Sequence, residues 1–365
     1  MPDQRALLIA LAGSVAVPHP SACRLGGELA RWADAPSGRA AASLAVELGV
    51  PRPALAAALA LRRQAPAFAA QAERRAGRLG ARLVARGEDG YPPQFGALEL
   101  PPPAIWIAGE LPDRPAVAIV GARHASRYGL EMAAWLARGT AEAGALVVSG
   151  FAVGVDAAAH RGALAADGGR TVAVLGCGLD FDYPRGHRAL GERIAAAGAR
   201  LSEFPPGCEP RPWQFPVRNR LIAALARAVV VVEAAPRSGS LVTARLALDL
   251  GRDLLAVPGR VTDELALGPN ALLADGAAPA LAPGDVAAAL GLAGDREPRP
   301  VPSAEPAGLA PAARALWRAA AGGAASAEEL AAAAGLAIDR ALAALLELEL
   351  AGHLRRSPDA RYAPA

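Results

Sequence analysis

The chain has 365 residues, 53% of them hydrophobic, with 38 Lys plus Arg against 35 Asp plus Glu and a formal net charge of +3. That length and apolar fraction exclude a disordered chain and allow two or three domains around a sizeable core. No lysine occurs, so every basic residue is an arginine, and the arginine count reflects compositional bias before it reflects chemistry.

Charge is unevenly spread. Residues 1–85 hold 11 Arg against 5 acids, whereas residues 86–292 hold 19 against 21, so a nucleic-acid site in the middle has to be local. Cys23, Cys177 and Cys208 are widely and irregularly spaced and the five histidines are scattered. Neither a disulfide framework nor a metal site is expected from them, nor any cofactor, and a reducing, cytoplasmic compartment is the simplest reading. The uncharged run 6–23 after Arg5 has the outline of a secretory signal, but Pro18 and Pro20 fit a broken first core helix better. No other run is long and apolar enough to span a bilayer, so no membrane partner is expected.

From the N-terminus, Leu44, Leu48, Leu55, Leu59 and Phe68 fall at helical spacing, interrupted by Pro36, Pro51, Pro53 and Pro66, which predicts several short helices over 1–85. Near residue 116 the texture changes to short Val/Ala/Ile runs, each followed by a glycine turn and a helical stretch: AVAIVGARHASRYG, ALVVSGFAVGVDAAAH, TVAVLGCGLDFDYP, AVVVVEAAPRSGSLVTARLAL and DLLAVPG. Apolar strands alternating with helices mean a parallel sheet covered on both faces. GDREPRPVPSAEPAGL then reads as an extended linker. Beyond it Ser326 and Glu329 form a capping box, Gly335 breaks that helix, residues 338–350 form another, and His353, Leu354 and Arg355 turn into a strand. The expected architecture is α/β: a small helical N-terminal domain (1–85), an extended Rossmann-like domain with a mostly parallel sheet (86–293), a Pro-rich linker (294–308) and a winged-helix-like domain (309–365).

In an open parallel sheet, ligands gather at the carboxyl ends of the strands, where helix N-termini favour anions. Four turns fall there. The first places Gly121 where the backbone must pass close to a ligand, Arg123 beside it to grip phosphate, and Ser126, Tyr128 and Gly129 at a helix start. The second follows a strand at 146–148 and sets Ser149, Gly150 and Gly154 around the N-terminus of the helix carrying Asp156 and His160. That pair lies four apart, but no nucleophile or ligand set accompanies it, so Asp156 is read as a cap or arginine partner and His160 as a satisfied buried group. The third is Phe215, Arg218, Asn219 and Arg220, leading into a helix at 221–226. An aromatic platform can stack a base and arginine forks suit phosphates, with one arginine expected to pair a carboxylate such as Glu233. The fourth, Arg237, Ser238, Gly239, Ser240 and Thr243, supplies hydroxyls and backbone N–H groups at another helix start. No GxxxxGK[ST] or GxGxxG pattern occurs, which disfavours nucleotide hydrolysis and dinucleotide binding; Gly176-Cys177-Gly178, after a strand at 171–175, does not complete the latter.

Taken in order, these turns resemble the DprA/Smf family of DNA-processing proteins. The matching residues include Tyr91-Pro92, the VGxR of Arg123, SGxAxGxDxxAH from Ser149 to His160, Tyr183-Pro184, Ser202-Glu203, FPxRNRxIA from Phe215, Glu233, SGSLVTA from Ser238, and Val257-Pro258-Gly259, over roughly residues 90–280. The resemblance implies a non-enzymatic homodimer that binds incoming single-stranded DNA during natural transformation and loads RecA recombinase onto it. It places DNA contacts on Arg123, the Ser149/Gly150 turn, Arg218 to Arg220 and the Ser238 to Ser240 loop. Two features depart from it. Pro269 disturbs the late segment that begins at Thr262, and the helix at 338–350 carries Glu347 and Glu349 beside Arg340, which favours protein contact over a DNA groove. Two rivals remain: a Rossmann-like nucleoside-monophosphate phosphoribohydrolase using Glu203 or Glu233, whose PGGxGT turn is missing, and DNA binding by the N-terminal arginines Arg62, Arg63, Arg74 and Arg75.

Overall fold

The computed structural model describes residues 3–35, 39–294, 306, 308–321, 325–357 and 360–364. Six helices come first: α1 (Gln4–Gly13), α2 (His19–Gly27), α3 (Leu29–Trp32), α4 (Arg39–Glu47), α5 (Arg52–Leu61) and α6 (Ala65–Arg78). Apart from Pro36, which lies outside the described residues, the prolines shape them as expected. Pro18 caps α2, Pro51 caps α5, and Pro20, Pro53 and Pro66 sit in first turns, where the missing N–H costs nothing.

The strands and helices that follow are β1 (Ala81–Ala85), β2 (Ala104–Gly109), β3 (Ala116–Val120), α7 (Arg127–Glu142), β4 (Leu146–Ser149), α8 (Val155–Ala165), β5 (Arg170–Leu175), α9 (Arg188–Ala197) and β6 (Ala199–Ser202). Then come α10 (Gln214–Leu225), β7 (Ala228–Val231), α11 (Gly239–Asp249), β8 (Asp253–Ala256), α12 (Glu264–Ala274), β9 (Ala278–Pro279) and α13 (Pro283–Ala289). They form one nine-stranded sheet in the order β1-β2-β6-β5-β4-β3-β7-β8-β9. All pairings from β6 to β9 are parallel, and β1 and β2 add antiparallel at one end.

Strand alternation sorts the core into two faces. Ile105, Ile107, Ala118, Val148, Val174 and Val231 point to the face covered by α10 and α11. On the opposite face Val117, Ile119, Val147 and Val230 pack under α7, α8 and α13. Beside them Ala104, Trp106, Ala108, Ala173 and Leu175 pack under α9 and the N-terminal helices. The division expected at residue 85 is therefore not a division of the packing: β1 runs in the sheet, and residues 1–297 form one compact unit.

The remaining unit, residues 298–365, comprises α14 (Pro311–Ala321), α15 (Ala327–Ala334), α16 (Ile338–Leu350), β10 (Leu354–Arg356) and β11 (Tyr362–Pro364), with β10 and β11 antiparallel. It is a winged helix. Ser326 and Glu329 make the reciprocal capping box, and Gly335 closes α15 at φ 66°. The linker expected at 294–308 lies outside the described residues except for 294, 306 and 308. Among the described residues no single helix is long and apolar enough to cross a membrane.

Candidate nucleic-acid interface

From β3 the connections run one way to β4, β5 and β6, and from β7 the other way to β8 and β9, so the topological switch lies between β3 and β7. Beyond the carboxyl ends of these strands is a cleft of about 810 Å³. It is the position that doubly wound folds use for ligands. Of the residues expected there, Gly121, Arg123, Phe215, Arg218, Asn219, Arg237, Ser238, Gly239, Ser240 and Thr243 line it.

Arg123 is exposed, and its guanidinium carbon stands 5.3 Å from the centre of the Phe215 ring. Tyr183 stacks on the same ring at 5.3 Å and 29°. Tyr183 stands in the sequence only within the Tyr183-Pro184 motif, because its partner ring lies in a distant stretch of chain.

Ser126 does not line the cleft. It caps α7, its Oγ accepting from Gly129 N–H at 3.1 Å, while its own N–H donates to Glu233 Oε2 at 2.8 Å and its hydroxyl binds Glu233 Oε1. Glu233 is thus occupied by a helix cap and not by an arginine. Ser149 is also withdrawn: fully buried, it donates to Ile119 O at 2.6 Å. Gly150 and Gly154 act by closeness. A Cβ on Gly150 would lie 2.6 Å from Asp156 Oδ2 and 2.7 Å from Arg218 Nη2. Gly154, at φ 81°, lets the start of α8 pass against Ala122 O and Arg123 O.

The third turn is corrected. The helix expected at 221–226 begins at Gln214, so Arg218, Asn219 and Arg220 are helical. Residues two apart on a helix point about 200° apart at 3.6 per turn, and the two arginines diverge accordingly. Arg218 turns inward beneath the cleft, where its Nη1 donates to Gly150 O and Val174 O. Burial lowers its pKa to about 10, partly opposed by Asp156, so it stays charged at neutral pH. Arg220 leaves the cleft and pairs with Glu203, which His19 Nε2 also contacts at 2.8 Å. Asn219 ties α10 to the fourth turn through Nδ2 to Gly239 O at 3.2 Å. There Ser238 caps α11, Ser238 and Ser240 hydroxyls lie 2.7 Å apart, and Arg237 is exposed.

Asp156 is buried beside Arg218; desolvation raises its pKa, and the Arg218 charge and the Ala152 N–H oppose that rise. His160 is buried from solvent, with Nδ1 2.7 Å from Thr171 Oγ1. Thr171 donates to Val147 O, so Nδ1 carries the ring proton and Nε2 is left without a partner. Burial lowers His160 to about 3.

One grouping has no counterpart in the sequence reading. His19, Cys23 and Glu203 bring three ligand types within 4.8 Å of one another. His19 and Glu203 are 184 residues apart, so spacing gives no signal. Arg220 binds the same Glu203 oxygen and lies 3.8 Å from Cys23 Sγ, so positive charge is already supplied there. His19 is itself raised to about 10: burial acts against its charge, and the Cys23 and Glu203 contacts outweigh it.

Residues 82–291, more than half of the chain, match the family model described as DNA recombination-mediator protein A, and residues 299–360 match the DprA winged helix domain. The chain belongs to the DprA family. A Mycobacterium tuberculosis protein named as a DNA processing protein DprA is 45% identical over 243 residues, covering 61% of this chain and 62% of its own length. The chain thus spans less than two thirds of that relative. The structure of DNA processing protein A from Streptococcus pneumoniae is 32% identical, with a TM-score of 0.67 over 79% of this chain and 98% of that one. A Helicobacter pylori DNA processing protein A, whose structure concerns its single-stranded DNA binding mode, is 34% identical, with a TM-score of 0.51 over 56% of this chain and 94% of that one. Within the DprA-family core, then, the first, third and fourth turns meet in one cleft, the second turn shapes it from behind, and Arg220 serves a different place.

Proposed function

We propose that this protein binds single-stranded DNA, without sequence preference and without catalysis, by holding phosphates in the switch-point cleft. The observation that carries the reading is Arg123 held over the Phe215–Tyr183 stack. A cation and an aromatic platform side by side fit a phosphate and its base, and neither reads base edges. The α11 N-terminus with Ser238, Ser240 and Arg237 offers a second phosphate position. The H. pylori relative's single-stranded DNA binding supports the same ligand.

The hydrolase alternative rests on Glu203 or Glu233 as its free acid or base. Glu203 is paired with Arg220, Glu233 holds Ser126, and His160 is bonded to Thr171. These ties support a binding protein. By family resemblance it acts in the cytoplasm as a homodimer that protects incoming DNA and passes it to RecA. The C-terminal unit is assigned to protein contact: Ile338, Leu342, Leu346 and Leu350 form an exposed stripe at every fourth position along α16, beside Asp339, Glu347 and Glu349. Leucines and acids do not suit a phosphate-lined groove.

The test is binding to labelled poly-dT and to duplex of equal length over a salt series. Single-strand preference is expected, and Arg123→Ala should weaken it about tenfold and flatten the log–log salt slope by about 0.7, one phosphate's worth. Unchanged binding in Arg123→Ala would return DNA to the N-terminal arginines.

A further inference from the structure

A second cavity, of about 500 Å³, lies across the segment that walls the cleft. Side chains of this wall alternate. Pro210 and Pro212 line the cleft, while Glu209, Arg211 and Trp213 line the second cavity. One thickness of chain separates the two spaces.

Trp213 is 48% exposed. Its ring meets Phe204 edge-on at 5.8 Å and His19 at 6.2 Å, so neighbouring rings brace the indole while half of it stays open. Arg211 on the wall and Arg75 from α6 line the same cavity, and both are exposed. Among the described residues neither guanidinium has a hydrogen bond or ion pair, whereas Arg5, Arg24, Arg31 and Arg82 of the N-terminal region each have an acidic partner. An open aromatic ring sharing a cavity with two unpaired cations is a nucleotide's complement: the ring takes the base and the cations take the flanking phosphates. The volume lies within the range of about 300–1,000 Å³ typical of small-ligand sites. Glu209 is outnumbered by the two guanidiniums, and the Glu203 charge is already taken by Arg220 and His19.

We propose that the single strand held in the cleft crosses the 209–213 wall and stacks a further base on Trp213, with Arg211 and Arg75 holding the phosphates on either side. This rests on the single-stranded DNA reading of the cleft. It gives the N-terminal arginine surplus a place in that reading: α6 carries one edge of the strand's path.

The experiment measures affinity of the full-length chain for oligo-dT of increasing length. Wild type should show a step in affinity at the length that first crosses the wall. Trp213→Ala should remove the step, weakening long oligomers about 5- to 100-fold and leaving short ones as in wild type, and Trp213→Phe should restore most of it. Arg75→Ala, on an exposed helix face, should lower the salt slope by about 0.7 for long oligomers alone. Absence of a step in wild type, or Trp213→Ala binding like wild type at every length or weakening all lengths equally, overturns the subsite. Failure of the cleft reading is distinguishable: there Arg123→Ala binds like wild type at every length.

Discussion

Gly150 shows how closely this cleft is built. A methyl group there would meet the Asp156 carboxylate and the Arg218 guanidinium, both buried and neither a loose chain end. Gly150→Ala is therefore expected to destabilise the protein by about 1–3 kcal/mol, as overpacking does, and to weaken DNA binding as well. A shift in urea midpoint without loss of binding would separate the two effects and count against the cleft. His160 gives a pH test. Its folded pKa of about 3 lies below the unfolded value of about 6.5, so the unfolded chain takes a proton that the folded one refuses. Stability is complete above pH 6.5 and falls, by up to about 1.4 kcal/mol per pH unit, as pH drops from there toward 3. His160→Gln should flatten that slope between pH 6 and pH 4 in urea titrations; parallel slopes would show that the ring is not held neutral. His19 runs the other way, its contribution present at neutral pH and lost as pH rises through about 10. Asp156 and His160 read as structural in the sequence because nothing reactive accompanies them; Asp156 lies under the influence of the Arg218 charge and accepts from Ala152 N–H, whereas His160 is satisfied at Nδ1 alone, which no spacing in the sequence could show.

At the scale of elements, legibility depended on where helices begin. The strand-turn-helix units were readable from apolar runs ending in glycine, since buried parallel strands tolerate little else. The start of α10 was not, because Pro216 suggests a turn yet sits within the first turn of a helix from Gln214, where proline is tolerated. That displacement sends Arg220 to Glu203. Arg220→Ala leaves the Glu203 carboxylate, 1% exposed, with only His19, and a loss of about 3–5 kcal/mol is expected with little change in DNA affinity per folded molecule. Loss of binding at unchanged stability would place Arg220 back in the interface. Pro269 is the second case. It lies inside α12, where proline ordinarily costs about 3 kcal/mol. Here the carbonyl it cannot serve, Leu265 O, accepts from Ala234 N–H at 2.7 Å, and Gly268 N–H donates to Ala234 O at 2.9 Å. The freed carbonyl thus docks α12 on the chain beyond β7. Pro269→Ala should accordingly change stability by less than about 1 kcal/mol, and a gain near 3 would mean that the docking bond is worth little.

For the whole molecule, the sequence separated a helical segment from a sheet at residue 85, and the family model likewise begins at residue 82. Composition changes there, so the break is real in sequence. Packing ignores it. Ala104, Trp106 and Ala108 alternate with Ile105 and Ile107, and all five are buried, so β2 needs cover on both faces. The cover on the Trp106 side includes α1 and α6, which also pack on β1. A short run of alternating residues shows that both faces are apolar but not which distant helices close them, and this is why the packing across the break was not legible. A large aromatic ring buries about 150–250 Å², worth roughly 4–6 kcal/mol at about 25 cal/mol per Å², against about 5–15 kcal/mol for the stability of a domain. Uncovering Trp106 together with Leu83 and Ala108 therefore removes a large part of what holds the sheet. A fragment of residues 82–297 is expected to aggregate or to bind a hydrophobic dye such as ANS, whereas residues 1–297 should unfold in one cooperative transition. If 82–297 instead melts cooperatively within a few degrees of 1–297, the N-terminal helices are an appendage, and the second cavity, which α1, α2 and α6 help to line, becomes a seam between two bodies rather than a formed pocket.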